Sequence, residues 1–385
     1  MIDQIALLFG AMHFAAPLIY YVYISKRLDD PWGFPLPDEY QPRISLIVPT
    51  YLEADLIHDR LDNIRDQDYP LDLIEIIVVD SASRDGTPEK VKGWMEAHPE
   101  YNVTLIQEDE RKGKAHALNL ARRHMDEASQ IMVTTDVDCA WDTDALKTAM
   151  RYFSDSSVGA VTCVKMPRTI GSEGSRKSEK TYRDYNSVVR VAESKVHSTP
   201  IFHGEFAAYR LSTLDEVEGF REDMGADDSH TATLIALGGY RSICVPDAEV
   251  VEFVPSNFRM FINWKTRRAQ HLIQHFYKVR RMEKDSRGLE SVINLEEYLH
   301  IFNPWFLLIA YIALISSFYS EGITLINNVI TVGGALVLFY RPYRDAFLTW
   351  TINQFFLIAA QLKNIFKGPD IIWKKARDEV PRHEE

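Results

Sequence analysis

Two carboxylates lie one residue apart, directly after an apolar run of the chain. Asp136 and Asp138 follow residues 131–135, whose apolar and β-branched pattern predicts a buried strand. Where a chain bends at a strand end, both carboxylates can reach one divalent cation, and such hard oxygen ligands suit Mg²⁺ or Mn²⁺. Acids at this spacing also occur on ordinary surfaces, so the metal-binding interpretation depends on the neighbouring motifs.

Two further polar motifs begin at predicted strand boundaries. Asp80 ends the apolar run 74–80, and a carboxylate there can accept hydrogen bonds from a base or ribose. The alternative role is to cap the following helix, which we expect Asp85 to do. Residues 111–114 read RKGK and open a predicted helix, where cations and N-terminal N–H groups suit a diphosphate. A solvated charged turn is the alternative.

Strand and helix patterns alternate between residue 43 and about residue 255. The predicted strands are 44–48, 74–80, 103–107 and 131–135, and the predicted helices between them are 54–65, one that starts at 88, and 114–124. Apolar strands without polar alternation, separated by helices, are typical of a parallel sheet covered on both faces. Ligands of such sheets bind beyond the carboxyl ends of the strands. The sequence therefore predicts an α/β fold with the polar motifs at one sheet edge.

Six ordered segments resemble the inverting family 2 glycosyltransferases of the GT-A fold. They read PTYLE at 49–53, SRDGT at 83–87 after Asp80, GKAHALN at 113–119, DVD at 136–138, HGEFAAYR at 203–210 and GADDSH at 225–230. The resemblance covers residues 43–270. The apolar segments on either side are similar to those of the membrane-integrated branch of that family.

The resemblance implies a donor that is a nucleotide-diphosphate sugar, such as a UDP- or GDP-sugar, bound with Mg²⁺ or Mn²⁺. The implied donor-binding residues are Pro49, Tyr51, Glu53, Asp80, Lys114 and Asp136, with Asp136 and Asp138 as metal ligands. The implied acceptor-side residues are Gly204, Glu205, Asp227, Arg267 and Arg268. Asp228 would be the general base, since inversion requires a carboxylate opposite the leaving group. Asp227 and Asp228 start a predicted helix, so we expect one to cap it and the other to catalyse.

The basic segment after this motif departs from the processive polymerases of the family. Those enzymes carry Gln-x-x-Arg-Trp on an interface helix, whereas here Lys265 and Ala269 accompany Arg268. This difference counts against polymer synthesis. Residues 258–282 remain basic and aromatic at helical spacing, which is typical of a helix on a membrane surface. An ordinary surface helix is the alternative.

The first apolar segment is long enough to cross a membrane. Residues 5–24 carry no charge, and about 20 such residues span a ~30 Å hydrocarbon core. Lys26 and Arg27 follow at once, whereas a signal peptide has its positive charge before the apolar run. The charge placement predicts that the N-terminus is outside and that the chain after it is cytoplasmic. A buried soluble helix is the alternative.

The second apolar block lies near the C-terminus. Residues 301–319 and 322–340 predict a hairpin that leaves the cytoplasm and returns, with Arg341 and Arg344 on the cytoplasmic side. Residues 346–366 contain polar side chains and predict an interfacial or re-entrant helix, with a third span as the alternative. The predicted units are a membrane helix (1–27), a GT-A domain (28–255), interfacial helices (256–300), a membrane hairpin with its further helix (301–367) and a cytoplasmic tail (368–385). Residues 29–41 are predicted to be a stiff, proline-containing linker.

Composition restricts the class of protein. The chain has 385 residues and a formal net charge of −12, which argues against a nucleic-acid partner because phosphate binding needs a positive surface. The three cysteines have no short paired spacing, so neither a disulfide framework nor a zinc cluster is indicated. We expect an integral protein of the plasma membrane with a cytoplasmic catalytic domain and membrane lipids as neighbours.

Three functions are compatible with these features. The favoured one is transfer of one sugar to a lipid-linked acceptor, either a polyprenyl phosphate or a lipid-linked glycan. The second is a processive polysaccharide synthase of the cellulose or hyaluronan synthase type, for which few predicted spans are available. The third is a membrane nucleotide-binding protein without catalysis, which the acids at 136, 138 and 228 make less favourable.

Overall fold

The structure, a computed structural model, describes residues 1–168, 173–255, 257–282 and 287–368. Its strands are β1 (Ile44–Thr50), β2 (Ile74–Asp80), β3 (Asn102–Gln107), β4 (Ile131–Thr134), β5 (Cys139–Trp141), β6 (Val158–Arg168), β7 (Ala207–Arg210) and β8 (Arg241–Phe253). Its helices are α1 (Ile2–Ser25), α2 (Ile57–Arg65), α3 (Thr87–Ala97), α4 (Lys114–Arg122), α5 (Ala145–Met150), α6 (Glu173–Val196), α7 (Leu211–Glu216), α8 (Asp227–Leu237), α9 (Phe258–Val279), α10 (Arg287–Glu297), α11 (Asn303–Glu321), α12 (Leu325–Phe339) and α13 (Arg341–Lys367). The predicted tail lies outside the described residues except for Gly368.

The strands form a mixed, mostly parallel sheet in the order β3-β2-β1-β4-β7-β6-β8-β5. The pairs β1–β2, β1–β4 and β2–β3 are parallel, as the strand and helix alternation predicts. Every residue of β2 is buried, because α-helices cover both faces of a sheet built from parallel crossovers. The four predicted strands are confirmed, and so is the α/β fold.

The register of the strands brings the polar motifs to one edge of the sheet. Thr50 pairs with Asp80, and Asp80 pairs with Gln107, so three parallel strands end at the same level. The antiparallel strand β7 starts where β4 ends, since Ala207 pairs with Thr134. Residues 203–206, which precede β7, therefore lie at the same edge of the sheet as residues 136–138, which come after β4. Strand pairing also places Glu252 opposite Cys139.

The segment between α1 and β1 packs on the domain. Trp32 makes an edge-to-face contact with Tyr152, with ring centroids 5.1 Å apart. The Arg151 side chain donates a hydrogen bond of 2.6 Å to the Pro37 carbonyl. Phe34, Leu36 and Tyr40 also pack against the core. The predicted linker is thus held along its length, because its aromatic residues bury apolar area that a free spacer would expose.

Two described helical segments are long and apolar enough to cross a membrane, namely Ile2–Ser25 and Gly288–Glu321. They expose many large apolar side chains, such as Leu18, Ile19, Ile312 and Ile315, as lipid contact requires. The second segment begins earlier than the predicted span because α10 continues into α11 through a π-helical turn just before Pro304. Part of the predicted interfacial region is therefore continuous with the apolar helix.

The second arm of the predicted hairpin is short. Helix α12 has 15 residues, or about 22 Å at 1.5 Å per residue, which is less than a ~30 Å hydrocarbon core. Together with residues 343–367 it forms a pair bent by 113°, which is the geometry of a broken span or a re-entrant loop. A complete second span at 322–340 is therefore not formed by α12 alone.

The start of α1 lies next to the end of α11. The amino group of Met1 lies 2.6 Å from Oε1 of Glu321, and the Thr324 hydroxyl donates to Asp3 at 2.9 Å. The N-terminus and the end of α11 therefore lie at the same end of the helix pair. This agrees with the positive-inside prediction, which places both on the outer side of the membrane.

Cysteine labelling tests which side that is. A membrane-impermeant maleimide added outside sealed vesicles is expected to modify Ser320→Cys and to spare Tyr343→Cys. The native cysteines are buried, so background labelling is expected to be low. Vesicles opened with detergent, where both introduced cysteines should react, are the control. Labelling at 343 with protection at 320 would contradict the predicted orientation.

Candidate active site

A cavity of about 350 Å³ opens at the carboxyl edge of the sheet. Most of the predicted site residues line it, together with side chains from α6, α9 and α13. These predicted residues are Pro49, Tyr51, Glu53, Lys114, Asp136, Asp138, Gly204, Glu205, Asp227, Asp228, Arg267 and Arg268. The fold therefore gathers segments more than 200 residues apart in the chain.

The first wall of the cavity follows β1 and β2. The guanidinium of Arg111 lies over the Tyr51 ring, 3.9 Å from its centroid, which gives a flat cationic and aromatic surface beside Glu53. The backbone N–H of Glu53 donates to the Thr87 hydroxyl at 2.9 Å. Such a surface can stack on a base and receive hydrogen bonds from it.

Asp80 has a different position from the other predicted donor-binding residues. Its carboxylate is 1% exposed and accepts from the Thr50 hydroxyl at 3.0 Å and from the Ser83 N–H at 2.9 Å. Among the described residues at this strand end, Ser81 lines the cavity and Asp80 does not. Asp80 thus connects the end of β1 to the loop that follows β2. The N-cap of α3 is Gly86, with a φ of 92°, and Asp85 receives the N–H and hydroxyl of Thr87.

A lysine and an aspartate form a close pair in the middle of the cavity. Lys114, the first residue of α4, places Nζ 2.5 Å from Oδ1 of Asp136. Burial alone would lower the pKa of Lys114, but Asp136, Asp227 and Asp228 outweigh burial and raise it. Burial opposes ionisation of Asp136, yet the neighbouring Lys114 brings the pKa of Asp136 below its ordinary value. Both groups are therefore charged at neutral pH.

The aspartates of the 136–138 loop suit a metal held jointly with a ligand. Among the described residues, no group of three or more His, Cys, Asp or Glu side chains is placed to hold a metal ion. Mg²⁺ and similar ions are often bound by one or two carboxylates, with substrate phosphates and water completing the shell. Asp136 and Asp138 both line the cavity and supply that number of carboxylates. The donor set therefore fits a metal that arrives with a diphosphate.

Two carboxylates at the start of α8 face the same cavity. Asp227 is 7% exposed, and its Oδ2 has no hydrogen-bond partner among the described residues. Burial raises the pKa of Asp227 to about 7 against the opposing effect of Lys114, with Asp228 and Asp136 adding to the rise. Burial also raises the pKa of Asp228, whose Oδ1 accepts from the Ser229 N–H at 2.7 Å. Poorly solvated carboxylates of this kind are suited to accept a proton near neutral pH.

The cap of α8 is not formed as predicted. The N-cap residue is Ala226, and the aspartate that receives a first-turn N–H is Asp228. Asp227 instead lies buried at the cavity wall, where Lys114 of α4 and His271 of α9 line the same small pocket.

A buried ion cluster lies beside these aspartates. Lys165 contacts Glu205 at 2.9 Å and Glu252 at 3.3 Å, and Nη2 of Arg268 lies 2.6 Å from both carboxylates. Burial and Glu252 raise the pKa of Glu205 to about 7, although the two cations act to lower it. The cluster ties α9 to β6 and β8. Sequence reasoning missed Lys165 and Glu252, and the available signal was a charged residue inside each apolar strand, which requires a buried partner.

The remaining wall is formed by helices near the apolar segments. The Arg268 guanidinium lies 4.4 Å from the centroid of the Trp264 ring on the same helix. Burial and the neighbouring Arg268 lower the pKa of Arg267 to about 10, so Arg267 stays charged at neutral pH. Trp350, Gln354 and Phe356 from α13 complete this side. The cavity thus extends from the strand ends to helices next to the predicted membrane region.

Comparisons with known proteins agree with this geometry. The sequence profile described as Glycosyl transferase family 2 matches residues 45–218. A solved structure of a mannosyltransferase from Pyrobaculum calidifontis, in complex with GDP-Man and Mn²⁺, is 46% identical with a TM-score of 0.85, over 95% of this chain and 99% of that one.

More distant relatives carry related names. An N-acetylglucosaminyltransferase from Rhizobium meliloti is 27% identical over 65% of this chain, and the O-antigen chain rhamnosyltransferase RfbN from Salmonella typhimurium is 28% identical over 54% of it. The matches span 60% and 65% of those relatives' own lengths. The arrangement of the motifs, the sheet and the likeness to these enzymes lead to one conclusion: the chain belongs to glycosyl transferase family 2.

Proposed function

We propose that this enzyme transfers one sugar from a nucleotide-diphosphate sugar to a lipid-linked acceptor at the cytoplasmic membrane surface, with inversion and with a divalent metal. The observation that carries the proposal is that one cavity joins the Lys114–Asp136 pair to the helices beside the apolar segments. A water-soluble donor can enter at the sheet edge, and a membrane-bound acceptor can enter from the helices.

GDP-mannose with Mn²⁺ is the first donor to test. The mannosyltransferase that is 46% identical to this chain was solved with both. In this chain Tyr51 and Arg111 offer a stacking surface for a base, and Lys114 offers a cation for a diphosphate. Asp136 and Asp138 would hold the metal, which would neutralise charge on the departing diphosphate.

Protein groups on the other side of the donor would handle the acceptor. Asp228 would take the proton from the attacking oxygen, since its raised pKa makes it a better base than a solvated aspartate. Arg268 and Lys165 hold the carboxylates of Glu205 and Glu252, which fixes the cavity wall between α9 and the strands β6 and β8. Enclosure of this wall by α9 would limit competing attack by water.

Transfer with purified protein tests the proposal. The full chain in lipid nanodiscs is incubated with radiolabelled GDP-mannose, Mn²⁺ and a membrane lipid extract, and the lipid products are separated. A labelled lipid extended by one sugar is expected. A ladder of products would favour the processive synthase. The absence of both hydrolysis and transfer with GDP- and UDP-sugars would contradict the proposal.

Gly204 provides a separate test of the donor side. A Cβ at this position would lie 2.5 Å from Nζ of Lys114 and 3.1 Å from Oδ2 of Asp136, so alanine would force the Lys114–Asp136 pair to shift. Gly204→Ala is expected to weaken GDP-mannose binding about tenfold, equal to ~1.4 kcal/mol. Isothermal titration calorimetry with Mn²⁺ present measures the change.

The matched control for Gly204→Ala is Gly93→Ala. Nothing lies within 4 Å of the added Cβ at this helical position, and alanine favours a helix over glycine. Its donor affinity is expected to equal that of the unmodified protein. If Gly204→Ala also binds GDP-mannose normally, the Lys114–Asp136 pair is not part of the donor site.

A further inference from the structure

One wall of the cavity is built from polar and aromatic side chains on α6 and α13. We define this acceptor wall as Asn186, Trp350, Asn353, Gln354 and Phe356, all of which line the cavity. The Trp350 ring contacts Tyr185 of α6 at a centroid distance of 6.0 Å, and Phe356 contacts Phe261 of α9 at 6.5 Å. The wall therefore lies where three helices meet, away from the strand ends that hold the donor motifs.

A buried amide in this wall has an oxygen without a hydrogen-bond partner among the described residues. Gln354 is 3% exposed, and its Oε1 has no hydrogen-bond partner among the residues that the structure describes. Buried polar atoms are nearly always hydrogen-bonded, because an unsatisfied one carries its full desolvation penalty. Since Oε1 is an acceptor atom, the missing partner is an O–H or N–H donor. A sugar hydroxyl is such a donor, whereas an ionised phosphate oxygen is not.

The indole ring in the wall is held in place. Trp350 donates through Nε1 to Nε2 of His13 at 2.8 Å, and Nδ1 of His13 lies 2.9 Å from the Asn303 carbonyl oxygen. These bonds fix the orientation of the ring from behind, through α1 and α11. A fixed aromatic ring beside amide side chains is suited to contact an amphipathic ring that has an apolar face and polar edges.

The charges around the wall do not favour a second anion. Lys165 and Arg268 are both bound to Glu205 and Glu252, and Arg190 lies near the Glu296 carboxylate. Among the described residues that line the whole cavity, eight are Asp or Glu and seven are Lys or Arg. The donor diphosphate would use some of these cations. A phosphate acceptor would therefore bring further negative charge into a region whose positive charge is already balanced. A neutral acceptor would add no charge to this region.

We propose that the acceptor wall binds an uncharged sugar ring of a membrane glycolipid, and that the group attacking the donor is a hydroxyl of this sugar rather than a phosphate. The inference rests on the proposed function, since it names the acceptor of the same reaction. The hydroxyl oxygen forms a bond to the anomeric carbon while the bond from that carbon to the diphosphate oxygen breaks. The electron pair leaves with the nucleoside diphosphate, and the hydroxyl proton passes to Asp228.

A panel of defined acceptors tests the inference. The full chain in nanodiscs receives GDP-mannose, Mn²⁺ and either phytanyl phosphate or one of the dodecyl glycosides of glucose, mannose and N-acetylglucosamine. Mannose transfer to at least one glycoside, and not to phytanyl phosphate, is expected. Transfer to phytanyl phosphate, or hydrolysis of GDP-mannose without transfer to any glycoside, would overturn the inference while leaving a donor-using enzyme. Failure of donor binding and hydrolysis would overturn the proposed function and the inference with it.

A variant of Gln354 separates a binding role from a structural one. Gln354→Leu keeps the side-chain size and removes the unpartnered oxygen, so its melting temperature is expected to be no lower than that of the unmodified protein. Its KM for the preferred glycoside is expected to rise about tenfold, with a smaller change in kcat and an unchanged donor affinity. An unchanged KM for the glycoside would contradict the assignment of this wall.

The matched control is on the same helix. Ile352 is 49% exposed and does not belong to the acceptor wall. Ile352→Ala is expected to retain the KM for the glycoside. A tenfold rise in KM in both variants would mean that the helix position, and not the Gln354 amide, controls acceptor binding, which would also contradict the inference.

Discussion

Replacement of Asp228 by asparagine is expected to lower the single-turnover rate by about 10²–10⁴-fold while donor affinity stays nearly constant. This loss equals roughly 3–5 kcal/mol of activation free energy. Asparagine keeps the size of the side chain and can still accept from the Ser229 N–H, but it cannot take a proton. Rapid-quench transfer and calorimetric donor binding on the same preparation measure the two quantities.

Asp227→Asn is the matched variant for this experiment. Both aspartates line the cavity at the start of α8, but Asp227 is 7% exposed, whereas Asp228 is partly exposed and can meet the acceptor. The rate loss is therefore expected to be larger for Asp228→Asn. A collapse of donor affinity in step with the rate would place Asp228 in the donor site instead. A larger rate loss for Asp227→Asn would assign the base to Asp227.

The size of the Asp228→Asn effect also depends on the acceptor. A phosphate is already largely ionised near neutral pH and needs little help from a base, whereas a sugar hydroxyl keeps its proton until attack. A sugar acceptor therefore predicts a loss near the upper end of the range. A loss of less than about tenfold would favour a phosphate acceptor, contrary to the inference drawn from the acceptor wall.

Asp138→Ala is expected to reduce turnover to below about a thousandth, or by more than ~4 kcal/mol, without unfolding the protein. Asp136 is already engaged by Lys114, so loss of the second carboxylate would leave a metal–diphosphate complex with one protein ligand at most. Turnover is measured at saturating Mn²⁺, and the melting temperature is measured on the same sample.

Asp142→Ala is the control for the loss of charge. Asp142 is an exposed carboxylate four residues from Asp138, on the chain that follows the same loop. Its turnover is expected to match that of the unmodified protein. Full activity of the unmodified protein in excess chelator would contradict the metal assignment, as would normal turnover of Asp138→Ala.

The sequence alone determined the framework of the catalytic domain. The four parallel strands were readable because their apolar runs lack the polar alternation of a half-exposed sheet. The motif at 136–138 comes after β4, and the motif at 113–119 opens α4. Once the strands are parallel, their carboxyl ends meet at one edge, and the position of the motifs follows from local pattern.

The long apolar helices were predictable in composition but not in arrangement. Hydropathy and length are local properties, so residues 2–25 and the apolar core of Gly288–Glu321 were apparent. The 113° bend between α12 and residues 343–367 depends on packing against α9, α11 and α1, which a count of apolar residues does not contain. The same limit applied to the 29–41 segment, whose aromatic residues pack on the domain.

Only the tertiary structure decided which distant side chains meet. Lys165, Glu205, Glu252 and Arg268 come from β6, the segment before β7, β8 and α9, and nothing local to any of them indicates the other three. Asp80 shows the converse, since its motif predicted a donor contact and its place beneath Thr50 and Ser83 gives it partners within the protein. Strand patterns arise from neighbouring residues, whereas ion pairs and cavity walls arise from contacts between elements far apart in the chain, and these are set by how the helices pack on the sheet.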